Sequence, residues 1–375
     1  MAAPDVVPIN DYLRVGATLQ EGNFIIESLL AAGAFGATYL AQDKILHRSV
    51  VIKEYFPDGC RRSYEEVIPY QNQNPETFVK ARERFLEEAR VLAQFRHPGI
   101  VGVYNFFEAN NTAYMVMEYL QGPTLLEVLN ERGVLSPDDV LQIARQICEA
   151  LKVVHHAGML HRDIKPNNVI WCDDGRVVLV DFGLSERFDD GSSRHTRPLD
   201  TALRFGTPGY APLEQYTHSA QLGPPSDIYA LGATLYHLCS GQPPLPATDR
   251  ACGVELESLH CSHPVLSEYI LWAMSPEIKK RPASIELFLE RINQADAVLS
   301  SRMQLLAILK NRSAQKVVAA TVAAASVDNH QVEKAAPVDD GGCMNIVFIA
   351  YLSVWAFAAM VGFIFLFVRY VLVGG

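Results

Sequence analysis

Apolar and polar positions alternate along much of the first third of the chain. The segments FIIESLL, ATYLAQD, SVVIKEYF, YNFFEANN and AYMVMEYL are rich in β-branched and aromatic residues, and turn-forming residues separate them. This pattern predicts a group of β-strands. One segment, PETFVKARERFLEEARVLAQF, interrupts them with helical spacing and predicts an amphipathic helix. The apolar positions of that helix are Phe78, Ala81, Phe85, Ala89 and Leu92.

Beyond Gly122 the apolar positions follow a helical spacing instead. In SPDDVLQIARQICEALKVVHHAG, Ser136 stands before Pro137, which is typical of a helix N-cap followed by the first helical residue. The segments SDIYALGATLYHLCSG, SEYILWAMS and SIELFLERINQADAVLSSRMQLLAIL predict further helices. We therefore expect an α+β fold, with a smaller strand-rich lobe that ends near residue 120 and a larger helical lobe after it.

The ends of the chain differ from its centre. Residues 1–22 form a lead-in, residues 299–343 have the composition of a linker, and residues 369–375 form a short tail. Residues 346–368 comprise 23 residues without a charge. As a helix they would span about 35 Å, enough to cross a bilayer core of about 30 Å. We predict a transmembrane helix there in preference to a buried core helix.

Composition narrows the classes of function. The chain is 49% hydrophobic and 20% charged, as globular proteins are, and its formal net charge of −10 argues against a general nucleic-acid binder. Seven cysteines without a CxxC pair indicate a reducing compartment, and the start, MAAPDVVPINDYLRVG, lacks the features of a signal peptide. The group Cys252, His260, Cys261 and His263 fits no common zinc spacing, so an ordinary loop is favoured over a metal site.

Two features of the strand-rich region point to phosphate binding. In LLAAGAFGATYLAQD, Gly33 and Gly36 lie between predicted strands, where bare backbone can approach a phosphate, although the pattern alone also fits a hairpin turn. Lys53 stands amid strand residues, so its ammonium group either reaches the surface or pairs with an anion. The predicted helix offers the carboxylates of Glu83, Glu87 and Glu88.

The stretch LHRDIKPNNVIWCDDGRVVLVDFG has the residues that a phosphoryl-transfer site needs. Asp163 and Asn168 flank Pro166 in a loop, and Asp181 ends a short apolar strand. One carboxylate can face a hydroxyl group, while the amide and the second carboxylate hold Mg²⁺, which takes few protein ligands. An Asp/Asn-rich turn is the alternative interpretation. The order of glycine loop, Lys53 and this stretch disfavours it.

In this order, the motifs resemble those of the eukaryotic-type serine/threonine protein kinases, and more closely their bacterial, membrane-anchored members, over about residues 20–298. The resemblance implies a bilobal protein-kinase fold over residues 23–298. It also implies ATP-dependent phosphorylation of Ser or Thr hydroxyls on proteins, with Mg²⁺, or Mn²⁺ in its place, as the metal. Autophosphorylation and a role in bacterial signalling are part of the same expectation.

The resemblance assigns roles residue by residue. The catalytic positions are Asp163 (the base), Lys165 (on the γ-phosphate), Lys53 (on the α- and β-phosphates) and Glu88 (the helix partner of Lys53, with Glu87 as the alternative). Asn168 and Asp181 resemble the metal ligands. The nucleotide-binding positions, with Met117 as gatekeeper and Glu118 and Leu120 in the hinge, are Leu30, Ala31, Gly33, Phe35, Gly36, Thr38, Val51, Lys53, Met117, Glu118, Leu120 and Ile170.

The resemblance also implies structural and regulatory positions. These are Arg162, Thr196, Thr201, Thr207, Glu214, Asp227 and Arg281, together with the internal residues His161 and Phe182. Glu214 and Arg281 are expected to pair, and Asp227 to brace the catalytic loop. Arg162 is tied in the family to loop phosphorylation, for which Thr201 is the first expectation and Thr196 the second. Thr207 resembles a threonine that contacts the catalytic loop.

The chain departs from the family pattern at a few positions. Ala31 replaces the first glycine of the nucleotide loop, Val51 replaces an alanine against adenine, and Pro212 and Leu213 replace Ala-Pro before the glutamate. The segment 54–74 is longer than usual. A surface insertion is the favoured interpretation, and a docking or regulatory contact through its residues Arg61, Arg62 and Tyr64 is the alternative.

Two functions compete at this point. An active kinase keeps Lys53, Asp163, Asn168 and Asp181, and this chain has all four. A membrane-tethered pseudokinase that binds nucleotide and scaffolds a partner is the alternative. Because ATP is cytosolic, the kinase domain is expected on the cytoplasmic face of the cell inner membrane, as a single-pass protein. The expected partners are protein substrates, the lipid bilayer and a second copy for autophosphorylation, with no nucleic acid.

Overall fold

The structure is a computed structural model that describes residues 11–33, 36–70, 75–182, 186–187, 206–217, 222–259, 261–295, 297 and 315. The chain divides into two compact units, Met1–Met303 and Gln304–Gly375. The elements below belong to the first unit.

The N-terminal lobe is built on an antiparallel sheet. The elements of this lobe are β1 (Thr18–Leu19), β2 (Phe24–Gly33), β3 (Gly36–Asp43), β4 (Arg48–Tyr55), β5 (Cys60–Ser63), β6 (Glu66–Pro69), α1 (Pro75–Leu92), β7 (Val103–Ala109) and β8 (Thr112–Glu118). In the described residues the sheet has six strands, in the order β1-β2-β3-β4-β8-β7. The hairpin of β5 and β6 belongs to the 54–74 insertion, and the helix α1 follows it.

The strand alternation seen in the sequence separates the two faces of this sheet. One face is buried under residues of the lead-in, including Tyr12 and Leu13, and its core side chains include Tyr39, Ile52 and Tyr114. The side chains between these positions on β3 and β4 are half-buried and face the cleft. Because successive side chains of a strand point to opposite faces, the buried positions fix which residues face the cleft.

The C-terminal lobe is mainly helical and holds the largest core of the molecule. Thr124 begins α2 with a capping box to Glu127, and Ser136 caps α3 by accepting the backbone N–H of Asp139. The elements are α2 (Leu125–Arg132), α3 (Pro137–His156), β9 (Met159–Leu160), β10 (Val169–Trp171), β11 (Val177–Leu179), β12 (Glu186–Arg187), α4 (Pro224–Ser240), α5 (Ala247–Ala251), α6 (Pro264–Ala273) and α7 (285–295).

The predicted strands, the predicted α1 and the Ser136 cap are confirmed. The hairpin of β5 and β6 and the helix α2 were not predicted from the sequence. Among the described residues, no helix combines the length and hydropathy of a membrane span. The predicted span at 346–368, the linker and the tail lie outside the described residues, apart from Gln315.

Candidate active site

The sheet presents the predicted nucleotide-binding side chains to the cleft. Thr38 on β3 is paired with Lys53 on β4, and Val51 is paired with Met117 on β8. All four are half-buried. They therefore line one continuous surface that is open to a ligand, as the alternation predicts.

The β2–β3 hairpin carries the glycine loop. Leu30, Ala31 and Gly33 are exposed, and Gly33 pairs with Gly36 across the hairpin. A Cβ on Gly36 would lie 2.3 Å from the carbonyl oxygen of Glu54, so a larger residue there would push β3 away from β4. Phe35 lies outside the described residues.

Backbone hydrogen bonds hold the hinge to both lobes, one on each side. Glu118 N–H donates to the carbonyl of Gly102 at 2.8 Å, and Trp171 N–H donates to that of Pro123 at 2.9 Å. A bridge between Thr124 and Ile170 holds β10 against the hinge, and Leu120 is buried. This pairing places Ile170, from the C-terminal lobe, at the hinge end of the cleft.

Lys53 is bound to Asp181. Its Nζ lies 2.5 Å from Asp181 Oδ1. Burial lowers the pKa of Lys53, but the charges of Asp181 and Glu88 outweigh this effect and raise it overall. The Lys53 ammonium in turn holds the pKa of Asp181 at about 2, against the opposing effect of burial. Both groups are therefore charged at neutral pH.

Glu88, rather than Glu87, faces this pair. Glu88 Oε1 is buried without a hydrogen-bond partner among the described residues. Burial raises the pKa of Glu88 to about 8, although the charge of Lys53 opposes the rise. Glu87 is exposed and binds Arg90. Lys53 therefore donates its hydrogen bond to Asp181 and not to the expected partner on α1, and Glu88 is mainly protonated at neutral pH.

The carboxylate of Asp163 is surrounded by donors. Lys165 Nζ lies 2.7 Å from its Oδ2, and the Thr207 hydroxyl donates to its Oδ1 at 2.9 Å. Asn168 Nδ2 donates to Oδ2 at 2.9 Å and to the Asp163 carbonyl at 2.8 Å. Lys165 also donates to the Thr207 hydroxyl at 2.7 Å. Three residues from two segments thus fix one carboxylate.

The backbone of the catalytic loop is strained and is held in place by buried groups. Arg162 has a φ of 70°, which is unfavourable for a residue with a side chain. The N–H groups of His161 and Arg162 donate to the fully buried carboxylate of Asp227 at 2.9 and 2.8 Å. Burial opposes the charge of Asp227, but the hydrogen bond from His155 and the one from the Arg162 N–H keep its pKa below the ordinary value. Gln215 Nε2 donates to the Arg162 carbonyl at 2.9 Å.

His161 connects this loop to the strand end that carries Asp181. Its Nε2 donates to the carbonyl of Val180 at 3.2 Å, and its ring lies 4.3 Å from that of Phe182, centroid to centroid. Burial lowers the pKa of His161, so the ring is neutral. Asp181 itself has a φ of 60°. The turn after β11 thus aims Asp181 into the cleft.

The pair Glu214–Arg281 lies below the cleft. Arg281 Nη1 and Nη2 bind the two Glu214 oxygens at 2.6 and 3.1 Å, and Ser226 donates to Oε1 at 2.8 Å. Both charged side chains are buried. This bidentate pair fixes the segment 213–216 against α4.

The donor set fits a magnesium ion bound together with phosphate. The described residues contain no cluster of three or more His, Cys, Asp or Glu side chains suited to a metal. Mg²⁺ needs only one or two protein oxygens when phosphate and water complete its shell. Asn168 and Asp181 supply an amide and a carboxylate oxygen, and Val180 N–H donates to the Asn168 carbonyl at 3.0 Å, which ties their two strand ends together.

The structure thus brings together most of the residues that the sequence singled out. Thr196 and Thr201 lie outside the described residues, as does His260 of the cysteine–histidine group. Sequence reasoning missed residues that hydrogen-bond to the catalytic loop or to the carboxylates of Asp227 and Glu214, because a polar side chain in a pattern does not name its partner. These are His155, Gln215 and Ser226.

A profile of the protein kinase domain family matches residues 24–312, so the chain belongs to that family. It is 34% identical over 253 residues to the serine/threonine-protein kinase PknA of Mycobacterium tuberculosis, covering 66% of this chain and 53% of that protein. It is 30% identical over 243 residues to the serine/threonine-protein kinase PrkC of Bacillus subtilis, covering 65% of this chain and 34% of that protein.

Among solved structures, the one titled "PpkA-294 apo form" aligns with a TM-score of 0.65 and 28% sequence identity, covering 76% of this chain and 100% of that one. The predicted resemblance to bacterial serine/threonine kinases and the predicted bilobal fold are confirmed. The chain spans about half the length of PknA and a third of PrkC.

Proposed function

We propose that the chain is a serine/threonine protein kinase of bacterial signalling, which transfers the γ-phosphoryl group of ATP to Ser or Thr hydroxyls on proteins, including its own. The observation that carries this proposal is the arrangement of Lys165, Thr207 and Asn168 around the carboxylate of Asp163. Such fixation suits a group that must meet a hydroxyl in one geometry.

The proposed roles follow from position and charge. Asp163 orients the substrate hydroxyl and accepts its proton, while Lys165 faces the transferred phosphoryl group. Lys53 binds the α- and β-phosphates, and Glu88 positions it. Asn168 and Asp181 hold Mg²⁺, or Mn²⁺, which when bound neutralises charge on the phosphates. The adenine lies between Val51 and Ile170, with the backbone of Glu118 and Leu120 beside it.

The fixed catalytic loop supports activity over the alternative, a pseudokinase scaffold. The strained backbone at Arg162 is stabilised by several buried hydrogen bonds to Asp227 and Gln215. Strain that is maintained in this way is typical of functional sites.

Phosphoamino acid analysis tests the proposal. The full chain is incubated with Mg²⁺, γ-labelled ATP and a mixture of generic protein substrates, and the labelled proteins are hydrolysed in acid. Labelled phosphoserine or phosphothreonine supports a serine/threonine kinase. Labelled phosphotyrosine alone would contradict the proposed specificity, and binding of Mg-ATP without label transfer would favour the scaffold.

We further propose that residues 346–368 anchor the protein as a single-pass span, with the kinase domain on the cytoplasmic face of the inner membrane. The support is the uncharged sequence and the cytosolic location of ATP. A chain truncated after Gly342 should leave the membrane fraction and keep its activity. Sedimentation of the truncated chain with membranes would contradict the proposed anchor.

Loop phosphorylation is a related proposal. We expect autophosphorylation between two copies at Thr201, and secondarily at Thr196, because a phosphate there adds about −1.5 to −2 charges that can pair with an arginine such as Arg162. Mass spectrometry of the purified protein, with and without ATP, locates the modified residue. An active enzyme whose loop stays unmodified would contradict this proposal.

A further inference from the structure

The residue after Lys53 on β4 is the centre of a buried polar cluster. Glu54 is 0% exposed and faces away from the cleft. The hydroxyls of Tyr39 on β3 and Tyr114 on β8 each donate to its carboxylate at 2.8 Å. The Arg62 Nη2 group lies 2.7 Å from both of its oxygens. The carboxylate therefore cross-links the strands that carry Thr38, Lys53 and Met117.

Arg62 supplies the charge that Glu54 needs. It belongs to β5, in the insertion, and its side chain is buried. Its Nη1 donates to the Glu65 carbonyl at 2.8 Å, and its Nε donates to the Asp11 carbonyl at 3.1 Å. The guanidinium is thus held by the tip of its own hairpin and by the lead-in. An ionised carboxylate this deeply buried is strongly destabilising without such a partner.

The same hairpin packs against the helix that carries Glu88. Cys60 and Val67 form an apolar cluster with Phe56 and with Phe78 of α1. Val67 is also tied to the β7–β8 turn, since Asn111 Nδ2 donates to its carbonyl at 2.8 Å. The hairpin therefore touches both β4, which carries Lys53, and α1, which carries Glu88.

We propose that Arg62 is a positioning residue for Lys53. Lys53 and Glu54 are neighbours on one strand and point to opposite faces, so any displacement of Glu54 moves the Lys53 ammonium. Without Arg62, the buried Glu54 carboxylate has no counter-charge and must turn towards water, which loosens β4 from β3 and β8. The inference rests on the proposed function only in that Lys53 binds the phosphates of ATP.

The test measures Mg-ATP affinity and kcat/KM for ATP in the full chain and its variants. Arg62→Met should lower kcat/KM by about 10²-fold, the size of effect that a small misplacement of a binding group produces. Arg61→Met is the matched control, since Arg61 lies beside it on β5 with an exposed side chain, and it should behave as wild type. The double variant E54Q R62M, which carries no buried charge, should regain most of the affinity.

A second comparison separates positioning from general support of the fold. If Arg62 acts through Lys53, then Arg62→Met should cause no further loss of Mg-ATP affinity in a Lys53→Met background. Equal losses in both backgrounds would overturn the proposal, as would wild-type affinity in folded Arg62→Met. Circular dichroism at the assay temperature establishes folding. Should Arg62→Met fail to fold, the comparison is made between E54Q and E54Q R62M. These two variants should have equal Mg-ATP affinity. A large deficit in E54Q R62M would contradict the charge-neutralising role of Arg62.

These measurements distinguish a failure of the Arg62 proposal from a failure of the proposed kinase function. If wild type binds Mg-ATP without transferring phosphate, the kinase proposal fails while the affinity comparisons still decide the role of Arg62. If phosphate is transferred and Arg62→Met binds ATP normally, only the positioning role fails. Absence of Mg-ATP binding in wild type would overturn both.

Discussion

The ammonium of Lys53 and the carboxylate of Asp181 form an ion pair across the cleft, at 2.5 Å, between residues that are 128 positions apart in the sequence. The pair joins β4 of the N-terminal lobe to the turn after β11 of the C-terminal lobe. The pair places a positive and a negative charge side by side, at the position where we expect the nucleotide phosphates and the metal ion to bind.

Removal of Lys53 should change Asp181 measurably. The charge of Lys53 holds the pKa of Asp181 at about 2. In Lys53→Met that pKa should rise, because the positive charge that favours the ionised carboxylate is removed. An NMR titration of labelled aspartate carboxyls measures the change. Lys44→Met, which removes an exposed lysine from the β3–β4 turn, is the control, and an unshifted Asp181 in Lys53→Met would contradict the ion pair.

Glu88 should make stability depend on pH. Burial raises its pKa from the ordinary 4.5 to about 8, so between these values the folded state holds a proton that the unfolded state lacks. The unfolding free energy of wild type, relative to Glu88→Gln, should therefore be highest below pH 4.5. It should fall as pH rises towards 8, by at most about 1.4 kcal/mol per pH unit.

Denaturant unfolding at several pH values measures this difference. Glu87→Gln is the matched control, because Glu87 is exposed on the same helix turn. Its stability relative to wild type should show no such trend. If the difference in unfolding free energy between wild type and Glu88→Gln did not change between pH 4.5 and 8, Glu88 would be ionised in the folded state, which would contradict this prediction.

Cys261 should be the readily alkylated thiol of the C-terminal lobe. A hydrogen bond from Cys239, assisted by the His263 backbone and Ser267, lowers the pKa of Cys261 to about 6 although burial opposes it. The rate of iodoacetamide labelling at Cys261, followed by mass spectrometry, should have its midpoint near pH 6. In Cys239→Ala the midpoint should move upward. The exposed Cys252 in the same sample is the internal control. An unchanged midpoint for Cys261 in Cys239→Ala would rule out Cys239 as the hydrogen-bond donor.

The pair Glu214–Arg281 should contribute strongly to stability. Arg281→Met leaves the buried Glu214 carboxylate without its bidentate partner, which should cost on the order of 3–5 kcal/mol of unfolding free energy. The double variant E214Q R281M should lose much less, because no charge remains buried. Urea unfolding gives both values. Arg291→Met, which removes an exposed arginine of α7, is the control. If Arg281→Met lost as little unfolding free energy as this control, the pair would not contribute to stability as predicted.

The sequence was informative wherever a local pattern determines the structure. The alternating segments predicted the strands β2, β3 and β4, and Ser136 before Pro137 predicted the start of α3. The hairpin of β5 and β6 was missed because CRRS and EVIP are short and lack a clear alternation. The partners of Glu54 and the hydrogen bond of Lys53 to Asp181 could not be derived, since each depends on the tertiary approach of distant segments.

We propose that Asp163 serves phosphoryl transfer, and a comparison of Asp163→Asn with Asp173→Asn tests this role. Both exchange one carboxylate for an amide, but Asp173 is exposed beyond β10. With Mg²⁺, γ-labelled ATP and a protein substrate, Asp163→Asn should lower kcat by about 10²–10⁴-fold while Mg-ATP affinity stays near that of wild type. Asp173→Asn should match wild type. Near-normal phosphoryl transfer by folded Asp163→Asn would contradict the proposed role of Asp163.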